Sequence, residues 1–353
     1  MGVRMPRSQP LDGYPFVTVV LPVRNEEGHI AGTLEAVCAQ EYPRERVEIL
    51  VVDGESVDRT GEIVSRIAER DPRVRLLNNP ARIVAPGLNL ALRVARGDVI
   101  VRVDGHCVVP PDYVRTCVEM LRDGPADCAG GPQCAIGENF VTRAIALAMS
   151  TPFGVGGGAS FRSSGGGTKP REVDHLPYGA WRREVFDAIG GFDEELVRNQ
   201  DDEFSDRLRR AGGRILLHPR LVVRYWSRAT LLHLWRQYFE YGFWKVRVIQ
   251  KRGGRPSSPR HLAPAALVLS LAGAALVSLA ARRWEPLALF LAVYLAFLAV
   301  ATLVVALQRR DPAAVLMPAA MATMQVAYGA GFLMGAWVHR ARGEAGKTAN
   351  APS

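Results

Sequence analysis

Cysteine is scarce in this chain. The 353 residues hold five, Cys38, Cys107, Cys117, Cys128 and Cys134, and no two form a CxxC pair. That argues against a zinc ribbon and against a disulfide framework. An odd count without metal spacing reads as reduced, mostly buried thiols in an intracellular chain. Met1–Pro10 has no apolar stretch of the kind a signal peptide needs, so the first half is expected on the cytoplasmic side. No internal repeat is visible. Charge is absent from three stretches, Leu262–Ala281, Pro286–Leu307 and Ala313–Val338. The first of them would be about 30 Å long as a helix, the thickness of a bilayer's hydrocarbon core. The three read as transmembrane helices with very short loops, not as the bundle of a soluble protein. Arg282-Arg283 and Arg309-Arg310 lie in successive loops, so the positive-inside rule gives no orientation.

Basic residues, by contrast, are in excess: the formal net charge is +9 and the pI about 9.6. Arg247, Lys251, Arg252, Arg255 and Arg260 crowd just before the uncharged stretches. That placement favours a membrane surface and disfavours nucleic acid. Leu231–Lys251 combines these bases with Trp235, Tyr238, Phe239, Tyr241, Phe243 and Trp244, the pattern of an amphipathic helix in a membrane interface.

The first half alternates strand and helix patterns. Phe16–Val23, Val47–Val52, Arg73–Leu77 and Val99–Val103 are strand candidates. Gly28–Gln40, Thr60–Arg70, Pro86–Ala95 and Asp112–Leu121 have helical spacing. Such alternation implies an α/β domain with a mostly parallel sheet covered on both faces. Beyond it, Asn139–Met149, Glu184–Ala188 and Asp202–Ala211 read as helices. Ile215–Leu217 and Leu221–Val223 read as short strands. The expected organisation is a catalytic-type domain over 14–228 and an interfacial segment over 229–260. Three membrane helices follow over 261–340, at about 262–281, 286–307 and 313–338, and then a polar tail over 341–353.

Three acidic motifs carry the chemistry. Asp53 ends an apolar run and is followed by Ser56, Asp58 and Thr60. It suits either a nucleoside contact or the making of a turn, and Ser56 and Thr60 read as helix caps. Asp104 and His106 stand two apart at the end of another run. They suit either a Mg²⁺ or Mn²⁺ site completed by phosphate oxygens, or a turn with a surface histidine. Asp201, Asp202 and Glu203 open a helix, either as complements to its dipole or with one acting as a general base. Arg207 is the arginine best spaced to pair with an acid. The stretch Gly154–Ala159 fits GxGxxA, but neither a preceding strand nor a following helix supports a dinucleotide fingerprint. The glycine-rich Gly154–Lys169 is read as a lid or a plain loop.

The order of these motifs resembles the family 2 glycosyltransferases and their GT-A fold. The likeness rests on Val19–Glu26, Glu48–Thr60, Gly97–His106, Tyr178–Asp193 and Gln200–Gly212, and spans about Phe16 to Tyr225. Asp-Gly-His at 104–106, the Asn-Gln-Asp-Asp-Glu run at 199–203 and the Gln237–Trp244 segment look most like the membrane-attached transferases of exopolysaccharide assembly, the succinoglycan type. The resemblance implies that Pro22, Arg24, Glu26 and Asp53 hold the nucleoside, and that Asp104 binds both donor and metal. It puts His106 at the last position of the metal motif and Asp201 in the place of the catalytic base. Gly179, Trp181, Asp202, Arg207, Gln237 and Trp244 become candidates for the acceptor side. Gln200 stands where the family has Glu, and Phe243 stands where processive synthases have Arg.

The function so implied is an inverting transfer from a UDP-sugar, with glucose the expected sugar, to a lipid-linked or glycan acceptor. The cofactor would be Mg²⁺ or Mn²⁺. The enzyme would sit in the cell membrane as a multi-pass protein with a cytoplasmic catalytic domain. The alternatives are a polyprenyl-phosphate sugar transferase, a processive synthase, or a scaffold that binds nucleotide sugar without turning it over.

Overall fold

The computed structural model describes residues 11, 13–156, 167–227, 229–254, 256 and 258–349, with 341–349 described by backbone alone. Most of the glycine-rich stretch read as a lid, residues 157–166, lies outside them. The chain divides into two compact units. The described residues of Met1–Cys134 and Ser160–Trp226 form one, and those of Ala135–Ala159 and Ser227–Ser353 form the other.

The strands are β1 (Val17–Val23), β2 (Val47–Asp53), β3 (Val74–Asn78), β4 (Val99–Arg102), β5 (Cys107–Val108), β6 (Cys128–Gly130), β7 (Gln133–Ile136), β8 (Arg171–Glu172), β9 (Ala180–Arg182), β10 (Ile215–Leu217) and β11 (Val223–Trp226). In the first unit, eight of them form one sheet in the order β3-β2-β1-β4-β9-β6-β10-β8. β3, β2, β1 and β4 run parallel. β9 enters antiparallel between β4 and β6, and β10 resumes parallel to β6. β1 and β2 are β-branched, nearly continuous apolar runs because helices cover both faces of the sheet. The expected α/β domain with a mostly parallel sheet is present.

The helices of this unit are α1 (Ile30–Cys38), α2 (Thr60–Ala68), α3 (Val84–Val94) and α4 (Tyr113–Asp123), followed later in the chain by two more. α1 buries Ile30, Leu34 and Val37, the stripe that its spacing predicts. α3 sets Leu88 and Ala91 against Val20, Leu50, Val52 and Ile100 of the sheet. Trp181 of β9 anchors the same core, edge-on to Phe186, Phe192 and Phe204.

The second unit holds α5 (Phe140–Met149) and α6 (Pro152–Val155). The sheet unit then takes α7 (Arg183–Ile189) and α8 (Gln200–Arg210). The second unit continues with α9 (Leu231–Lys251), α10 (Ala263–Ala281), α11 (Glu285–Arg309) and α12 (Met317–Ala349). The sequence reading placed Asn139–Met149 in the catalytic domain, whereas its contacts group it with the C-terminal helices. Arg143 of α5 pairs with Asp311 at 2.7 Å. α9 does not stand alone as an interfacial helix. It packs along α12, where Gly242 meets the Tyr328 carbonyl and Gly331 the Phe239 carbonyl, approaches that leave no room for a Cβ. Ala263–Ala281, Glu285–Arg309 and Pro312–Arg340 are long and apolar enough to cross a membrane.

Candidate active site

The strand order reverses at β1, with β2 and β3 to one side and β4 to the other. An open parallel sheet forms its ligand crevice at such a point, outside the carboxyl ends of the strands. The β1–β4 ladder ends at Val20 opposite Arg102, while β1 runs on beside β2 to Val23 opposite Asp53. Pro22, which has no N–H to offer, falls in the stretch with no β4 partner, buried beside Val52. Asn25, Glu55 and Asn199 all take left-handed backbone, with φ of 55°, 54° and 63°. Such conformations are uncommon for residues with side chains and cluster at ligand sites.

The loops after β1 and β2 are laced together. The Asn25 N–H donates to Ser56 Oγ at 2.9 Å and the Glu26 N–H to Thr60 Oγ1 at 2.7 Å. Ser56 and Thr60, read from sequence as caps, therefore join two loops. Asp53 accepts the Ser56 N–H at 3.1 Å and its hydroxyl at 2.5 Å, which is the turn-making role. Arg24 is exposed beside Gly54.

At the end of β4, Arg102 donates through Nε and Nη2 to both oxygens of Asp104, at 2.8 and 3.1 Å. Arg102 is 4% exposed, and its guanidinium lies 5.9 Å from the ring centre of Tyr178. Burial alone would push its pKa down. The carboxylates of Asp104 and then Asp201 outweigh that, and the net shift is upward. Two candidate carboxylates from distant parts of the chain thus act on one buried cation. His106 Nδ1 meets Glu26 Oε1 at 2.9 Å, which joins the first motif to the second.

The third motif opens α8. Asp201 Oδ1 accepts the Asp202 N–H at 2.9 Å, and Oδ2 lies 3.6 Å from His175 Nε2. Asp201, Asp202 and Glu203 lie in the first turn of α8, where they complement the helix dipole.

Several residues proposed for the acceptor side have other work. Trp181 is 3% exposed within the aromatic core, so it offers no surface to a substrate. Gly179 is buried, and its carbonyl accepts the Arg102 N–H at 2.8 Å. Arg207 does pair with an acid, but that acid is Glu203, one turn back at 2.8 Å. It also donates to the carbonyls of Ile189 and Gly191, which fixes α8 against the turn after α7. Gln237 and Trp244 belong to α9 in the other unit, where Gln237 donates to the Tyr241 hydroxyl at 2.9 Å and Trp244 packs near Phe243 and His339.

Sequence reasoning missed Arg102 and His175. Arg102 left a signal, a lone charge closing the apolar strand Val-Ile-Val-Arg. His175 left none, because nothing near it in sequence marks it as a neighbour of Asp201.

The divalent cation that the family likeness implies fits Asp104 and His106. Glu26 takes up His106 Nδ1, which leaves Nε2 as the ligating atom, and a carboxylate behind an imidazole is the usual support for a metal-binding histidine. Each Asp104 oxygen keeps a second lone pair beside its arginine contact. Among the described residues no three His, Cys, Asp or Glu side chains converge. A cation here would therefore need oxygens from a bound diphosphate, which suits a metal that arrives with a nucleotide.

Comparison with known proteins gives the family and the fold. Residues 18–189 match the family described as Glycosyl transferase family 2. The succinoglycan biosynthesis protein ExoA of Rhizobium meliloti (strain 1021) is 31% identical over 316 residues, 89% of this chain and 93% of that protein. A dolichyl N-acetyl-alpha-D-glucosaminyl phosphate 3-beta-D-2,3-diacetamido-2,3-dideoxy-beta-D-glucuronosyltransferase of Methanococcus voltae is 26% identical over 67% of this chain and 74% of its own length. The solved mannosyltransferase PcManGT from Pyrobaculum calidifontis, in complex with GDP-Man and Mn²⁺, aligns over 92% of this chain and 88% of its own, with a TM-score of 0.57 at 23% identity. That last likeness is one of fold. A relative over 30% identical along almost the whole chain, together with the matched family, decides the assignment: the chain belongs to the family 2 glycosyltransferases.

Proposed function

We propose that the chain is an inverting, metal-dependent hexosyltransferase. It moves a sugar, with glucose expected, from a UDP-sugar to a membrane- or polyprenyl-linked glycan in extracellular or cell-envelope polysaccharide synthesis. One observation carries the reading: the buried Arg102 grips both oxygens of Asp104 at the crevice of the sheet, and the charges of Asp104 and then Asp201 raise its pKa. That supports a donor-side and a base-side carboxylate near one arginine, as a single displacement requires.

In this reading Asp53 and Arg24, beside the paired loops, contact the nucleoside. Asp104 and His106 hold the cation, which when bound would offset the charge of the leaving diphosphate. Asp201 takes the proton of the acceptor hydroxyl. The acceptor oxygen then bonds to the anomeric carbon, and the carbon–oxygen bond to the diphosphate breaks with its electron pair leaving on the diphosphate. One displacement inverts the anomeric centre. Arg102 keeps Asp104 oriented through its two hydrogen bonds.

The acceptor reading draws on the second unit. Its three apolar helices would cross the membrane with the catalytic domain on the cytoplasmic side. The names of the ExoA and Methanococcus voltae relatives support a polysaccharide product and a lipid-linked acceptor. The test is a screen of UDP- and GDP-sugars for release of nucleoside diphosphate, with and without Mn²⁺ or Mg²⁺, and with the anomeric configuration of the product read by NMR. A UDP-sugar, a metal requirement and inversion are expected. Turnover that ignores metal, or a retained configuration, overturns the mechanism.

A further inference from the structure

His175 precedes β9 in the chain and is absent from every motif. Its side chain is 14% exposed. Nδ1 meets Ser205 Oγ at 3.0 Å, and Nε2 lies 3.6 Å from Asp201 Oδ2. Ser205 stands one helical turn after Asp201 on α8, so the two side chains share a face and the imidazole touches both. Ser205 is 4% exposed, too buried to meet a substrate, so its hydroxyl serves to fix the ring. When that hydroxyl donates to Nδ1, the imidazole carries its proton on Nε2, toward the carboxylate. The other carboxylate oxygen, Oδ1, is already held by the Asp202 N–H. The two oxygens of Asp201 are therefore told apart, one tied to the start of the helix and one facing His175.

The geometry points to His175 as a positioning residue for the base. It orients the Asp201 carboxylate, and it does not itself touch the acceptor. The inference rests on the reading of Asp201 as the base. The 3.6 Å gap is longer than a hydrogen bond, so the contact is an electrostatic one that a small closure would convert into a bond.

The experiment uses the full chain in detergent or lipid nanodiscs, with whichever nucleotide sugar supports turnover in the donor screen. The variants are His175→Ala, Asp201→Asn and the double substitution. For His175→Ala, kcat is expected to fall at least on the order of 10-fold, a fraction of what a general base supplies. KM for the donor and affinity for the free nucleotide should stay as in the wild type, and added imidazole should restore part of the loss. In the Asp201→Asn background, His175→Ala should do no further damage, because groups that act as a unit are not additive. Three results would overturn the inference: an unchanged kcat, a loss of nucleotide affinity in step with kcat, or an equal further loss in the Asp201→Asn background. Turnover retained by Asp201→Asn would sink the base reading instead, whatever His175 does.

Discussion

The two compact units use the same apolar residues in opposite ways. In the sheet unit Leu21, Leu50 and Leu121 are fully buried. In the helical unit Leu276 and Leu279 of α10 and Leu289 of α11 are 66%, 76% and 68% exposed. The first unit is closed by water, which favours burial by about 25 cal/mol for each Å² of apolar surface. The second leaves its leucines outward and brings helices together through glycines such as Gly242 and Gly331, which is how helices associate where the surroundings are as apolar as leucine. One sequence thus holds a unit that closes over its apolar residues and a unit whose three apolar helices are long enough to cross a membrane.

The comparison can be broken from the sheet side first. Trp181→Ala should destabilise that unit by about 3–5 kcal/mol, since it empties the centre of the aromatic core. Thermal or denaturant melting of the purified chain reads this. A rise in acceptor KM without a loss of stability would instead return Trp181 to the site.

The helical side offers the next effect. Leu295 in α11 is 60% exposed. Leu295→Arg should cost about 3–4 kcal/mol of membrane insertion. The equivalent change at Val57, a 90% exposed residue of the sheet unit, should stay within about 0.5 kcal/mol. Carbonate extraction of membranes distinguishes the two, and equal behaviour would erase the contrast.

Acid should sharpen it further. Hydrogen bonds from Arg73 lead the causes that hold the Asp71 carboxyl down at about 2, against the opposing effect of burial, with the charges of Arg73 and Arg44 adding to it. A depressed folded pKa stabilises above the unfolded value, so the gain is complete at neutral pH and fades as pH falls from about 4 through 2. Asp71→Asn should remove about 2 kcal/mol at pH 7 and flatten the acid limb of the sheet unit's melting profile. Parallel profiles for variant and wild type would contradict this.

Much of the sheet was legible because buried parallel strands are continuous apolar runs, and β1, β2 and β4 lie where Phe16–Val23, Val47–Val52 and Val99–Val103 predict them. β5 and β9 were not, since two or three residues leave no period to read. β11 begins at Val223, where the expected strand was to end, because its partner Cys107–Val108 sets its register. Asp104 and Asp201 were visible through their motifs. The buried Arg102 that grips Asp104 and feels the charge of Asp201 was not, because spacing along a chain says nothing of which strand ends lie together. Trp181 shows the converse, since belonging to a motif does not separate a core residue from a contact residue. The stripe on α5 predicted a helix but could not name the unit that covers it.

The central claim is that Asp201 makes the glycosidic bond while Asp104 and the paired loops hold the donor. Its most direct test is Asp201→Asn in the full chain, with turnover of the nucleotide sugar and affinity for the free nucleotide measured side by side. The account predicts that turnover falls by about 10²–10⁴-fold while nucleotide affinity is unchanged. Turnover near that of the wild type, or a loss of nucleotide binding equal to the loss of rate, would contradict it.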